Sequence, residues 1–340
     1  MKKTLIALAV LGSVAGVAQA QSTVTVYGKL DQGVRDLSNK NSSTSATNAD
    51  SPVQLTHRAT SRIGFKGTED LGGGLSAIFQ FENRFNADDG TVNGASNGAA
   101  LFHAQSNVGL KGNFGTVRLG RVYNPVDDIN AALDPFGQDG IGSNLFSPVA
   151  ITRNNNAIRY DSTNFSGFSA SAIYQLKEAD VAPGSAIANN GYGVAANFAN
   201  GPLSVMAGYN KAANSDDSHY WVIGGAYTFG PAKVSLGYEK SDIKAAYAPN
   251  GGPAIAAGKL GKSKDVIVGL TYTVGAGMIN AAYSQIKFDN TNFTDKKLAI
   301  GYTHNLSKRT SLYANAARTD WGNAAADTTN GAEIGVTHNF

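Results

Sequence analysis

From residue 21 onward, two kinds of connection take turns between segments of period-2 hydrophobicity. Tight ones are built on Gly, Pro and Asn, as in Gly112-Asn113-Phe114-Gly115, Ala199-Asn200-Gly201-Pro202, Phe229-Gly230-Pro231 and Val274-Gly275-Ala276-Gly277. Long polar ones fall between them, near 36–52, 86–100, 122–154, 177–190, 211–218, 243–262, 289–294 and 320–331. The segments so separated number roughly sixteen, and an even count with short turns at one end and long loops at the other is the plan of a closed transmembrane barrel. About 16 strands enclose an aqueous channel, whereas about 8 are filled by their own side chains.

Individual segments fit that plan. Val266, Val268, Leu270 and Tyr272 share one parity, with Ile267, Gly269, Thr271 and Thr273 on the other. In the last segment Ile334, Val336 and Phe340 share a parity opposite Glu333, Gly335, Thr337 and Asn339. Aromatics near segment ends (Phe79, Phe81, Tyr227, Phe229, Tyr302, Tyr313, Phe340) suit the girdles of such a barrel. Closure requires the first and last strands to pair, which predicts Val24–Leu30 beside Ile334–Phe340, with Phe340 at the periplasmic membrane interface.

The other end supports export. Lys2 and Lys3 precede an apolar run from Leu5 to Val17, and Ala18-Gln19-Ala20 forms a small-x-small cleavage site before Gln21. Residues 1–20 therefore read as a signal peptide, too short and wrongly flanked for a spanning helix. Residues 21–340 read as one domain. Only closure satisfies every backbone group in lipid without helices, so an exported chain lacking a spanning helix points to a barrel in the outer membrane.

The absence of Cys excludes a disulfide scaffold, a thiolate nucleophile and thiolate metal sites. Of 28 basic residues, Lys2 and Lys3 belong to the leader, which leaves near-balance against 25 acidic ones. A nucleic-acid partner is not indicated, and charge acts through local placement. A soluble β-sandwich or propeller also gives alternating strands, but neither requires the short-long rhythm of connections.

Longer stretches are more specific. Thr23-Val24-Thr25-Val26-Tyr27-Gly28, Ser61-Arg62-Ile63-Gly64-Phe65-Lys66-Gly67-Thr68-Glu69-Asp70-Leu71-Gly72-Gly73-Gly74-Leu75, Phe114-Gly115-Thr116-Val117-Arg118-Leu119-Gly120-Arg121 and Gly301-Tyr302-Thr303-His304-Asn305-Leu306-Ser307-Lys308-Arg309-Thr310 resemble the general diffusion porins of β-proteobacteria, relatives of the neisserial porins. The resemblance spans essentially the whole mature chain. It implies a homotrimer of 16-stranded antiparallel barrels in outer-membrane lipid, each passing small hydrophilic solutes and ions without a cofactor. It also implies a pore narrowed by an inward-folded third loop, here 122–152. That is the longest connection, and long connections in compact proteins are usually functional.

Parity locates the charges. With Ile63 and Phe65 facing lipid, Arg58, Thr60, Arg62, Gly64 and Lys66 face the lumen. With Val117 and Leu119 outward, Arg118 faces in. With Ile158 and Tyr160 outward, Arg153, Asn155, Ala157, Arg159 and Asp161 face in. The loop carries Asp127, Asp128, Asp134 and Asp139 without Lys or Arg between Val122 and Thr152. A basic wall opposite an acidic loop sets a transverse field across a narrow opening. The resemblance places the family's basic cluster at Arg62 and Arg153, while a third basic position reads Phe102-His103-Ala104-Gln105: the third arginine is missing, and His103 is the nearest titratable group of inward parity.

Other chemistry has little support. Asp127 and Asp128 suit equally the cap of a short helix within the loop. The five His, at 57, 103, 219, 304 and 338, are scattered singly, which argues against a metal site. No Gly-x-Ser-x-Gly elbow occurs, so a barrel hydrolase remains only as a spatial arrangement hidden from sequence. An adhesin or receptor using the Asn/Ser/Ala-rich outer loops is compatible with the chain.

Overall fold

Apolar residues of one parity point away from the barrel and polar residues of the other point into it. The computed structural model describes residues 22–40, 51–93, 100–145, 150–178, 189–213, 217–244, 261–291, 293–322 and 328–340. The expected signal peptide, residues 1–20, lies outside them. The strands are β1 (Thr23–Lys40), β2 (Ser51–Thr56), β3 (Ser61–Gly72), β4 (Leu75–Phe85), β5 (Gln105–Gly112), β6 (Gly115–Tyr123), β7 (Arg153–Asp161), β8 (Phe168–Gln175) and β9 (Gly191–Asn200). They continue as β10 (Leu203–Lys211), β11 (His219–Phe229), β12 (Ala232–Ile243), β13 (Gly261–Val274), β14 (Gly277–Phe288), β15 (Thr294–Asn305), β16 (Thr310–Asp320) and β17 (Thr328–Asn339). Among the described residues one helix, α1 (Pro125–Leu133), lies between β6 and β7.

These 17 segments make a closed 16-stranded barrel. The difference arises because β2 and β3 lie end to end along the same edge of β1. Gly33 faces Thr56 of β2, while Lys29 faces Arg62 of β3. Between them, at 57–60, the ladder breaks. There the Arg58 N–H donates to Asp31 Oδ1 at 2.8 Å and the Asp31 N–H donates to Ser61 Oγ at 3.0 Å. The backbone groups released by the break thus find side-chain partners.

β1 and β17 close the ring, with Leu30 opposite His338 and Val34 opposite Ile334. The expected pairing is correct but its register is shifted, because Val24 and Val26 run on past Phe340 and face Gly67 and Phe65 of β3. Gly28 and Phe340 exchange both backbone hydrogen bonds, at 2.9 and 3.1 Å. Tight turns at one end need left-handed backbone. Gly72, Gly73 and Gly74 supply three such residues in a row between β3 and β4 (φ 83°, 61° and 80°).

Val24, Val26, Ile63, Phe65, Leu119, Ile158, Val268 and Leu270 are exposed on the outside, where lipid replaces water. Tyr227 and Phe229 stack at 6.4 Å within the aromatic rim. Tyr313 does not belong to it. Its ring is buried inside, its hydroxyl donates to Asp31 Oδ1 at 2.9 Å, and the Arg58 guanidinium lies 4.1 Å from its centroid. Parity gives the reason, since Leu312 and Ala314 take the lipid-facing positions on either side.

Candidate functional site

The loop after β6 turns into the lumen at Asn124. Asn124 Oδ1 accepts from the Val126 N–H at 2.9 Å and Pro125 occupies the first turn, which starts α1. The cap considered for Asp127 and Asp128 therefore belongs to Asn124, and these two occupy the first turn, where carboxylates complement the helix macrodipole. α1 ends at Leu133. Asp134 then accepts backbone N–H bonds from Phe136 (2.9 Å), Gln138 (2.9 Å) and Asn144 (3.1 Å), folding the following residues around its carboxylate.

The wall makes room for this loop with glycines. A Cβ on Gly208 of β10 would meet Ile129 at 2.9 Å, and on Gly224 of β11 or Gly237 of β12 it would meet Leu133 at 2.6 or 2.8 Å. On Gly269 of β13 it would meet Pro135 at 2.6 Å, and on Gly301 of β15, Phe136 at 2.8 Å. Val126, Ile129 and Leu133 thereby join a buried cluster with Tyr220, Val222 and Ile267 of the wall. Polar ties extend the seat: Asn124 Nδ2 donates to Asn210 Oδ1 (2.7 Å), Ser235 Oγ to the Leu133 carbonyl (2.7 Å) and the Leu145 N–H to Ser284 Oγ (2.9 Å). The helix of the loop packs on β8–β13 and is tied to β7 through Asn154 and Arg159, while β1, β3 and β4 carry a charged row.

The opening is basic. Lys29, Arg62 and Arg84 are directly opposed in register on β1, β3 and β4. Arg84 pairs with Glu82 at 3.1 Å, whereas neither Lys29 nor Arg62 makes an ion pair among the described residues. Like charges directly opposite repel, so the row is held by the sheet and relieved by water and counter-ions. The Tyr123 hydroxyl accepts from both Arg84 and Arg153, and Arg153 also lies over the Tyr123 ring, 4.6 Å from its centroid. Asp139 projects from the loop into the field of Lys29, Arg62, Arg58 and Arg84. Burial pushes its carboxyl above the ordinary value, and those cations oppose the shift.

The remaining residues divide by what they touch. Arg118 binds Asp161 at 2.5 Å, and Arg159 bridges Asp161 and Asp128, each at 2.8 Å. Arg58 lies 3.9 Å from Asp31 and donates to Thr303 and Thr337, which ties it to the wall. Asp127 is buried and accepts from Gln138 Nε2 at 3.1 Å; Asp134 is buried inside the loop, as its three N–H donors require. His103 sits among Arg121, Arg153 and Arg84, and burial first, then those cations, hold its imidazole below the ordinary value. Asn155 is exposed and not inward, because Asn156 adopts φ 51° and breaks the alternation, leaving Asn154 buried. Phe340 exchanges both backbone hydrogen bonds with Gly28 at the seam. Lys29 and Arg84 were not among the sequence candidates, although both share the parity of inward neighbours, Tyr27 and Glu82.

The geometry of an inward loop facing a basic wall has relatives. Residues 7–324 match the model of a Gram-negative porin family. Outer membrane porin protein 32 of Delftia acidovorans is 34% identical over 332 residues, covering 93% of this chain and 89% of that protein. The chain belongs to the Gram-negative porin family. An outer membrane porin of Bordetella pertussis is 31% identical over 92% of this porin and 93% of its own length. The solved anion-selective porin from Comamonas acidovorans is 30% identical, with a TM-score of 0.79 over 94% of this chain and 100% of that one. The protein is thus an outer-membrane porin channel, and as its relatives are channels and not enzymes, the hydrolase alternative is set aside.

Proposed function

We propose that this porin passes small hydrophilic solutes and ions by passive diffusion, with a preference for anions. One observation carries the preference: Lys29, Arg62 and Arg84 stand in a row on the open side, while the loop's carboxylates are largely committed elsewhere. Asp134 is enclosed by backbone donors, Asp127 is buried and Asp128 is paired with Arg159, which leaves Asp139 to answer the row. Unpaired cations raise the local anion concentration within a Debye length of about 8–10 Å, comparable to a constriction's width. The solved anion-selective relative supports the same sign.

The test is a planar-bilayer reversal potential under a salt gradient near 0.1 M in ionic strength, where screening is modest. The wild-type pore should report anion preference. Replacing Lys29 and Arg62 by Gln should move the potential toward cations, and the movement should shrink at about 1 M salt, where the Debye length is about 3 Å. A cation-selective wild type, or an unmoved potential in an open double variant, would remove the anion reading. We also infer the homotrimer that the resemblance implies and removal of residues 1–20 on export. Native mass and N-terminal sequencing of the membrane-extracted protein check them.

A further inference from the structure

The outer face of the barrel carries a row of its own. Tyr209, Trp221, Lys240, Lys264 and Lys287 are consecutive register partners across β10, β11, β12, β13 and β14. All five share the outward parity of Val205, Ile223, Leu236, Val268 and Tyr283, which are exposed. Lys240, Lys264 and Lys287 therefore stand side by side on adjacent strands, with Lys262 one step higher on β13. Like charges in directly opposed positions are destabilising, and here no channel water surrounds them on the barrel's lipid side. Two carboxylates answer in part: Asp289 lies 3.4 Å from Lys264, and Asp242 is the register partner of Lys262. Among the described residues two positive charges remain without an acidic counterpart.

Depth gives the row its meaning. It lies at the end of the barrel where β12 and β13 are joined by a long connection, the end that also carries the α1 loop, and long loops of outer-membrane barrels face outward. Trp221 and Tyr238 pack together at 5.5 Å beside it, an aromatic pair of the kind that marks the headgroup level. Directly below, Gly225 leaves a gap in the apolar face. Val205, Ile223, Tyr227, Leu236 and Val266 surround it and form an outward-opening groove of about 620 Å³. Cations at headgroup level above an apolar groove at acyl-chain level match the two ends of one molecule.

We propose that this face binds an individual phosphate-bearing lipid of the outward-facing leaflet. Its phosphate is held by Lys240, Lys264 and Lys287, and an acyl chain lies in the groove at Gly225. The charge complementarity fixes the anionic head, and the groove's place in the bilayer fixes the tail. The site is separate from the lumen and does not depend on the pore's ion preference.

The test uses the full-length mature porin in detergent, titrated by native mass spectrometry with dioleoyl phosphatidic acid, dioleoyl phosphatidylcholine or inorganic phosphate. Phosphatidic acid should bind more tightly than phosphatidylcholine, and Lys240→Gln/Lys264→Gln/Lys287→Gln should weaken it at least about tenfold at low salt. Gly225→Leu, which fills the groove, should weaken the lipid and leave inorganic phosphate unchanged. Single-channel conductance equal to wild type certifies that the lysine variant is folded; Leu236→Ala replaces Gly225→Leu if the latter fails to assemble. Equal binding of both lipids, undiminished binding by the lysine variant, or inorganic phosphate competing as well as phosphatidic acid would each overturn the proposal. So would a change in oligomeric mass on lysine replacement, which would make the face a contact between copies.

Discussion

Asp128 of α1 and Arg159 of β7 meet at 2.8 Å, so the first turn of the constriction helix is fastened to the basic wall that it faces. Arg159 also donates to the Tyr123 carbonyl at 2.9 Å and is shared with Asp161. Asp128 is half exposed in this pair, which limits its energy to that of a screened surface bridge, about 0–1 kcal/mol. Its larger effect is on the ions that pass.

Asp128→Asn should therefore leave thermal stability nearly unchanged and shift the reversal potential toward anions at low salt. Asp134→Ala should do the reverse. It leaves three N–H groups of the loop without their acceptor, at about 1–3 kcal/mol for each one that stays buried, with little direct change in the field. Thermal unfolding and bilayer recording on the same preparations separate the two outcomes.

Acidification should strengthen anion preference above the pH at which an ordinary carboxylate titrates. Burial raises the Asp139 carboxyl from its usual 3.8, so it takes up a proton before exposed carboxylates do as pH falls. Neutral Asp139 removes the loop carboxylate that acts on Lys29, Arg62, Arg58 and Arg84. Reversal potentials measured downward from neutral pH should drift toward anions in the wild type, and this early drift should be absent in Asp139→Asn.

Filling the seat of the loop should narrow the channel. A Cβ on Gly224 would lie 2.6 Å from Leu133 and 2.8 Å from the Leu236 carbonyl oxygen, so Gly224→Val pushes α1 inward or strains the wall. Such overpacking costs about 1–3 kcal/mol. Single-channel conductance should fall while the sign of selectivity stays as in the wild type.

At the seam, the Phe340 ring lies over Gly28, where a Cβ would fall 2.2 Å from the ring and 2.7 Å from the Arg62 carbonyl oxygen. Gly28→Ala should lower the temperature at which the barrel unfolds. Combining it with Phe340→Leu should cost less than the sum of the two, with a coupling of about 0.5–3 kcal/mol. Heat-dependent gel mobility provides the measurement.

The barrel was legible because a strand's period of 2 is local: Val266 to Tyr272 announce their face without knowing their neighbours. Register is not local. Val34 lies opposite Ile334 because of how the whole ring closes, and no property of Val24–Leu30 sets that offset. Parity also fails where the backbone departs from it. Asn156 in a left-handed conformation exposes Asn155, and the irregular pairing between Gly120 and Val122 puts Arg121 within reach of the His103 carbonyl. Lys29 and Arg84 followed the rule and were available to it, had the parity of Tyr27 and Glu82 been carried along their strands. The commitments of Asp127, Asp128 and Asp134 were hidden, since four aspartates in one loop look alike until their donors are placed.

The glycine seat divides the lumen into two half-walls under different constraints. On β10–β13 and β15, volume is fixed, because a single methyl at Gly208, Gly224, Gly237, Gly269 or Gly301 collides with the loop. On β1, β3 and β4 the Lys29–Arg62–Arg84 row faces the opening and makes no ion pair with the loop among the described residues, so its charge is free to vary without disturbing how the loop is held. Substitutions that retune such a channel for a new diet of solutes should therefore collect on one half of its circumference, while the other half stays silent.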